Sequence, residues 1–426
     1  MKGTTVTTEP VAEWASDYDV FDPAYVTDPY PIWAELRETC PIAHTDRWGG
    51  SWLPTRYADV SAIAHDIAHF SSRGIAVIPP PAAGEADPGG ITFVLPPIGT
   101  DPPVHTWSRR LLLPWFSHRR VDGYEATARE LCNRLIDEFV DSGTADAAAQ
   151  YAQQIPVRII GMTLGVPDEM SDTFTGWVRD LLEFAHDDDR RGKARIALIA
   201  YLLQQLEKRR TDPGDDLISE LLHTEIDGQP VSDSHTLGIA ALTLIAGVDT
   251  TWSGIGSSLW HLATHPADRQ RLVDEPELLP VAIEEFLRAY SPVTMGRIVH
   301  EDIEVQGCPM KAGDRLLLNF PAANRDPEAF DRPEEVIIDR QINRHVAFGA
   351  GIHRCAGSNL ARMELRIAVE TWLQRIPDFA LAEGAEVTWA GGQVRGPRSI
   401  PVVFPVGSRT ASAPDAGFAA HTALAS

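Results

Sequence analysis

Cysteine is scarce in this chain of 426 residues: Cys40, Cys132, Cys308 and Cys355 stand far apart, and no C-x-x-C pair occurs. That spacing excludes a disulfide scaffold, a zinc ribbon and an iron–sulfur protein, and it points to a reducing cytoplasm. Basic residues are also few. Against 60 Asp and Glu there are 37 Lys and Arg, and the net charge of −23 argues against a nucleic-acid partner. Long apolar runs are missing as well. The N-terminus, MKGTTVTTEPVAEW, has no apolar stretch of the signal-peptide kind, and the longest mostly apolar run, Leu237 to Val248, is too short to span a bilayer, so no membrane partner is expected. No internal repeat is present.

What the chain does have is enough apolar material, 44%, to bury a large core, and by length alone two or three. Apolar residues recur three and four apart in 124–142, 193–210, 234–264 and 277–290, which predicts a mainly α protein. Short β-like stretches at 50–55, 297–320 and 399–404, separated by Gly and Pro turns, predict a small sheet. Residues 78–103 form a long Pro/Gly-rich loop around the apolar segment ITFVL, and long loops of this kind commonly serve binding. The small-residue tail from 407 onward is expected to lack structure.

One stretch stands apart from this pattern. FGAGIHRCAG, Phe348 to Gly357, puts Cys355 among three glycines and ahead of a periodic helix expected from about Ala356 to Leu373. At a helix N-terminus free N–H groups favour negative charge, so the thiol is expected to ionise below its ordinary value. Such a thiolate serves as a nucleophile, a redox thiol or a metal ligand. Zinc is disfavoured, because no second ligand lies at metal spacing.

The stretch resembles the haem-binding loop of the cytochrome P450 family, FxxGxxxCxG, and the likeness extends from about Phe21 to Val406. The resemblance implies a single haem-thiolate domain over 21–406, after an N-terminal extension of 1–20 and before the tail 407–426; the fold would be mainly α with a small β-rich lobe. Cys355 becomes the axial ligand of a haem b held non-covalently, since no CxxCH occurs. Phe348 would pack beside the haem and shield the sulfur, and Gly349 and Gly357 would allow the tight turns that bring backbone amides to it. His105, Arg109, Arg297 and His353 resemble the residues that meet the haem propionates, with His345 as a further candidate near the loop. Glu285 and Arg288 match the family's ExxR pair, and Arg340 resembles its third member. Val336 and Ile337 depart from the Phe-Asp found in many relatives, which leaves the packing of that segment open.

In AGVDTT, Ala246 and Gly247 resemble residues beside bound oxygen, and Gly247 is expected to leave room for it. A carboxylate in an apolar helix is costly unless paired or functional, so Asp249 and Thr250 are the candidate proton relay. Thr251 is the rival alcohol, and a buried ion pair is the other role open to Asp249. Adjacent helical positions face apart, so the two are expected to act through water or a distorted turn. By resemblance the substrate pocket is lined by Thr92, Phe93, Val94, Leu242, Ile245, Val293, Met295 and Val394, and Arg395 is either a ligand contact or structural.

These features imply a monooxygenase. It would insert one atom of dioxygen into a small, mostly apolar or aromatic molecule, by hydroxylation, O-dealkylation or epoxidation. Electrons would come from a ferredoxin or flavodoxin with its NAD(P)H-dependent reductase, docking where Arg109, Arg110, Arg119, Arg120, Arg344 and Arg362 could form a positive patch. A cytoplasmic monomer is expected. Peroxygenase, isomerase or carbon-coupling chemistry on the same scaffold, or a non-catalytic haem-binding sensor, are the alternatives.

Overall fold

A helix of 32 residues, Asp233–Thr264, runs through the middle of the molecule, and from Thr236 to Ala263 nearly every side chain on it is buried. The computed structural model describes residues 9–79 and 94–410. Ser232 caps the helix by accepting from the His235 N–H, which satisfies one of the free donors of its first turn. Although long and apolar enough to cross a membrane, the helix is mostly buried inside the fold. It is a core helix.

Around it pack the helices Gln154–Leu164, Ser171–Leu182, Asp188–Thr211 and Ser358–Arg375, and the main core cluster draws on all of them. Helices Glu125–Asp137 and Leu279–Ala289 complete this layer, so the predicted helices at 124–142 and 277–290 form with shorter bounds. Gly143 follows the first of them with a φ of 72°, where the chain turns into a strand.

The β lobe is a five-stranded sheet in the order Ile42–Thr45, Ser51–Pro54, Arg315–Asn319, Thr294–Val299, Phe70–Ser71. The 297–320 stretch therefore divides. Its first and last parts pair antiparallel in the sheet, Leu316 opposite Arg297, while Ile303–Val305 and Cys308–Met310 make a separate hairpin. A second strand pair, Thr388–Ala390 with Gly396–Ser399, lies against the central helix. There Gly396 is obligatory: a Cβ at that position would stand 2.3 Å from the Cβ of Ser253.

The ends of the described stretch are tied in as well. Trp14–Asp17 is helical and Tyr18 and Val20 are buried in the second core cluster. At the other end Gly407 donates to the Val140 carbonyl and Thr410 to Asp137, so the tail expected to lack structure from 407 stays bound through 410.

One buried charge cluster links the helical layer to the loop that carries Cys355. Glu285 and Arg288 are both 0% exposed and meet in a bidentate pair, 2.8 Å at each contact. Arg340 adds a third contact at 2.9 Å, Asn343 donates at 3.1 Å, and the backbone N–H of Ile337 donates at 2.8 Å. Arg288 also donates to the carbonyls of Asn324, Pro333 and Glu335. The segment whose packing the Val336-Ile337 departure left open is thus held by its backbone. Removing Glu285 would strand two buried guanidinium groups. Glu285→Ala is expected to cost about 3–5 kcal/mol in urea unfolding of the holoprotein, and a loss below about 1 kcal/mol would show that the cluster does not hold the segment.

Candidate active site

The cysteine loop closes on itself through the Cys355 N–H, which donates to the Phe348 carbonyl at 2.8 Å. Gly351 has a φ of 68°, and a Cβ there would lie 2.4 Å from the Ala64 carbonyl oxygen, so only glycine fits. The helix starts at Ser358, two residues later than expected, and Cys355 stands just ahead of it with the Gly357 N–H donating to its sulfur. Cys355 is the one exposed cysteine among the described residues, although protein mass surrounds it. That burial pushes the free thiol up, more than Gly357, Arg109, Arg354 and Arg362 pull it down. The expectation of a spontaneously acidic thiol is thereby corrected: here a metal would have to supply the missing stabilisation. Phe348 packs at the edge of the main core, with the Arg362 guanidinium 4.4 Å from its ring.

Four cationic or protonatable side chains converge above this loop. His105 is buried on the Val104–Leu112 helix and its ring lies 4.3 Å from that of His353. Arg297 comes from the sheet and is 4% exposed; its one hydrogen bond among the described residues goes to the neighbouring Gly296 carbonyl. Arg109 donates to the Arg354 carbonyl at 2.5 Å. Burial, then Arg297 and His105, push the His353 imidazole down to about 3, and burial pushes Arg297 down to about 10. The nearby Asp101 is committed to Ser71 and Ser72. Nε2 of both His105 and His353 is buried without a partner among the described residues. Such a set of orphaned donors and uncompensated charge fits a dianionic group, as haem propionates would be, and Cys355 fits its iron.

On the central helix, the face that meets Leu365 of the cysteine helix at Gly254 carries Thr250 and Ala246 one and two turns earlier. There the packing opens, and Ala246 is exposed. Thr250 Oγ1 donates to the Ala246 carbonyl at 2.9 Å, while Thr251 is buried, so Thr250 is the alcohol on the open face. The helix stays continuous through both positions. Gly247 is corrected. A Cβ there would lie 2.5 Å from Ile160 Cδ1, so the missing side chain makes room for a neighbouring helix.

Asp249 is 0% exposed and faces away from Thr250, as the helical angle requires. Its Oδ1 accepts from Arg398 at 2.7 Å, and Oδ2 has no partner among the described residues. Burial pushes the carboxyl up, Arg398 draws it back and Glu183 pushes it up again. The ion-pair role therefore exists, with a partner the sequence reading did not find. Arg398 lies 149 residues away in the chain, and no local pattern links the two.

Of the pocket residues, Leu242 and Ile245 are each 8% exposed on the Asp249 side of the helix. Val94 is exposed, and its carbonyl sits where a side chain on Gly238 would be. Val293 bridges Val394, and Gln393 Nε2 donates to Met295 Sδ at 3.2 Å, which joins those two turns. Thr92 and Phe93 lie outside the described residues. Arg395 is structural, donating to the Val26 and Thr27 carbonyls. His345 flanks the loop, its ring 6.0 Å from that of Phe348, but its Nε2 meets Glu284 at 3.0 Å, not the cationic cluster.

A family model described as Cytochrome P450 matches residues 181–377. The chain is 35% identical over 382 residues to the mycinamicin IV hydroxylase/epoxidase of Micromonospora griseorubida, covering 87% of this chain and 94% of that protein. It is 35% identical over 395 residues to the vitamin D(3) 25-hydroxylase of Pseudonocardia autotrophica, covering 91% and 96%. Among solved structures, cytochrome P450 CYP109Q5 from Chondromyces apiculatus matches with a TM-score of 0.82 at 30% identity, over 93% of this chain and 100% of that one.

Glu284 ties the cysteine helix to this region, accepting from Arg362 at 2.6 and 2.8 Å as well as from His345. Burial alone would raise its carboxyl, but Arg362 and His345 outweigh it and hold it at about 2, against an ordinary 4.5. A depressed carboxylate stabilises the folded state fully above its ordinary value, and that contribution is lost as pH falls through the folded value. Glu284→Gln is expected to lower stability at pH 7 on the order of 1 kcal/mol. It should also flatten the stability-versus-pH slope between 4.5 and about 2, followed by circular dichroism. An unaltered slope would show that the contact contributes nothing.

Proposed function

The chain is a member of the cytochrome P450 family and a monooxygenase, and from that premise we propose that it inserts one atom of dioxygen into a neutral, mostly apolar small molecule. The observation that carries the reading is the pairing of Thr250, on an open helix face, with the buried acid Asp249, beside an apolar lining of Leu242, Ile245, Val293, Met295 and Val394. Thiolate-ligated haem b supplies oxygen activation when bound, given two electrons and two protons.

The chain's own residues do the rest. Cys355 would hold the iron, Arg109 and Arg297 would neutralise the propionates, and the neutral imidazoles of His105 and His353 would donate hydrogen bonds to them. Thr250 holds a hydroxyl at the open face, with its own proton engaged by Ala246 until a better acceptor arrives. Asp249, one residue earlier, is the buried store of the proton. The apolar side chains exclude water and orient a ligand.

Among the described lining residues the charged groups answer one another: Asp249 and Glu183 share Arg398, and Arg395 is spent on backbone carbonyls. A charged ligand would find no unpaired counter-charge there, which supports a neutral substrate. The names of the relatives, a hydroxylase/epoxidase and a 25-hydroxylase, support hydroxylation or epoxidation. A ferredoxin or flavodoxin with its NAD(P)H-dependent reductase fits as electron source, and a cytoplasmic monomer as its setting. Of the six arginines expected to form a docking patch, Arg362 is committed to Glu284, Arg109 to the Arg354 carbonyl and Arg120 to Asp215; Arg110, Arg119 and Arg344 are exposed.

Reduced with dithionite under carbon monoxide, the haem-supplied protein is expected to show the long-wavelength Soret band of thiolate ligation, and Cys355→Ser to lose it. Absence of that band from folded, haem-loaded wild type would overturn the reading. In optical titrations, neutral aliphatic and aromatic compounds should bind at least about tenfold tighter than carboxylated counterparts, and equal or reversed affinities would sink the neutral-substrate claim.

Charge reversal at Arg110 and Arg119 together should slow reduction by an acidic ferredoxin and flatten its dependence on ionic strength. Stopped-flow rates unchanged in both respects would place docking elsewhere.

A further inference from the structure

We propose that Arg398 is a positioning residue that sets the proton affinity of Asp249, in balance with the opposing charge of Glu183. The inference rests on the reading of Asp249 as the relay acid, but its test needs no turnover.

Arg398 belongs to the strand Gly396–Ser399, and its side chain is 8% exposed. Every nitrogen of its guanidinium is engaged. Nη2 donates to Asp249 Oδ1 at 2.7 Å, Nη1 to Ser253 Oγ at 3.1 Å and Nε to Glu183 Oε2 at 3.1 Å. The group also lies 4.1 Å from the Trp252 ring. Fork, hydroxyl and ring together leave it one orientation. Close approach of the backbones fixes the rest: Gly396 sits against Ser253, and a Cβ on Gly256 would touch Pro397 at 3.0 Å.

Two carboxylates thus share one buried cation. Glu183 follows the helix Ser171–Leu182 and also receives Arg179 at 3.1 Å. Burial favours the protonated form of Asp249; Arg398 and Arg179 oppose it, and Glu183 supports it. Those are the charged groups facing Asp249 from the strand and from the neighbouring helix. The acid is therefore gripped by one oxygen, its second oxygen is unclaimed among the described residues, and opposite charges set its proton affinity from two separate elements. A carboxyl so placed can carry a proton on Oδ2 without letting go of Oδ1. Its affinity also depends on where the end of the Ser171–Leu182 helix sits, because that end carries Glu183.

Charge removal separates this role from a purely structural one, since the two variants must act in opposite directions. In the holoprotein, the infrared band of the protonated Asp249 carboxyl, assigned by subtraction of Asp249→Asn, is titrated against pH. Arg398→Gln is expected to raise the midpoint by about one unit or more, a tenfold gain in proton affinity. Glu183→Gln should lower it, and Arg398→Lys should return it toward wild type. Midpoints that shift in the same direction for Arg398→Gln and Glu183→Gln, or that stay within about threefold of wild type, would overturn the proposal. If Arg398→Gln does not fold, Glu183→Gln and Arg398→Lys decide alone: no downward shift in the former refutes it. A protein without monooxygenase activity would still show the opposed shifts, so failure of the functional reading and failure of this inference give different results.

Discussion

Glu285 has no exposed surface and accepts from two guanidinium groups, a side-chain amide and a backbone N–H, and the geometry of the whole cysteine side follows from that convergence. A lone carboxylate so deep would cost several kcal/mol in desolvation. With Arg288 and Arg340 in place, the cluster instead becomes a rigid node. Arg288 reads three carbonyls between Asn324 and Glu335, so a stretch with little regular structure acquires a fixed path. That path ends at Val346, whose N–H is held by Asn324, and the loop of Phe348 to Cys355 starts from there. The position of the sulfur is thus set by a charge cluster more than ten residues upstream in the chain.

The cationic hollow obeys the opposite logic. Arg297, Arg109, His105 and His353 crowd one another, and burial, joined by repulsion from the neighbouring cations, drives His353 toward neutrality. An arrangement that is unfavourable by itself and complementary to a dianion couples folding of this region to binding of the group that satisfies it. The same coupling explains why the surroundings of Cys355 raise the free thiol: the site is organised around a charge that the protein alone does not contain.

What was legible in the sequence was what the chain writes locally. The cysteine loop packs its Phe, Gly and Cys signals into ten consecutive residues, and the Cys355 to Phe348 hydrogen bond explains their spacing. Glu285 and Arg288 could be read because three residues along a helix put them on one face. The central helix was visible from its apolar period. Long-range choices were not. Arg395 and Arg398 look alike in GGQVRGPRS, yet one caps carbonyls of the N-terminal segment and the other reaches Asp249, and only the register of the strand decides which. Gly247 was expected to leave room for oxygen, and Ile160, from a helix distant in the chain, occupies the space. His345 follows the same rule, because Glu284, its partner, lies on a helix 61 residues earlier.

Asp249 shows how a constraint in the backbone becomes chemistry. An acid in the interior of a continuous, buried helix cannot be solvated by its own helix, whose carbonyls and N–H groups are already paired. Its counter-charge has to arrive from another element, and an arginine strand can come within reach only if the two backbones nearly touch. Gly396 against Ser253 and Gly256 against Pro397 are those two contacts. A methyl group at Gly396 would push the strand off the helix and draw Arg398 away with it, although position 396 itself touches neither Asp249 nor the open face at Thr250. The smallest side chains in this part of the fold thereby bear on the counter-charge of a fully buried acid.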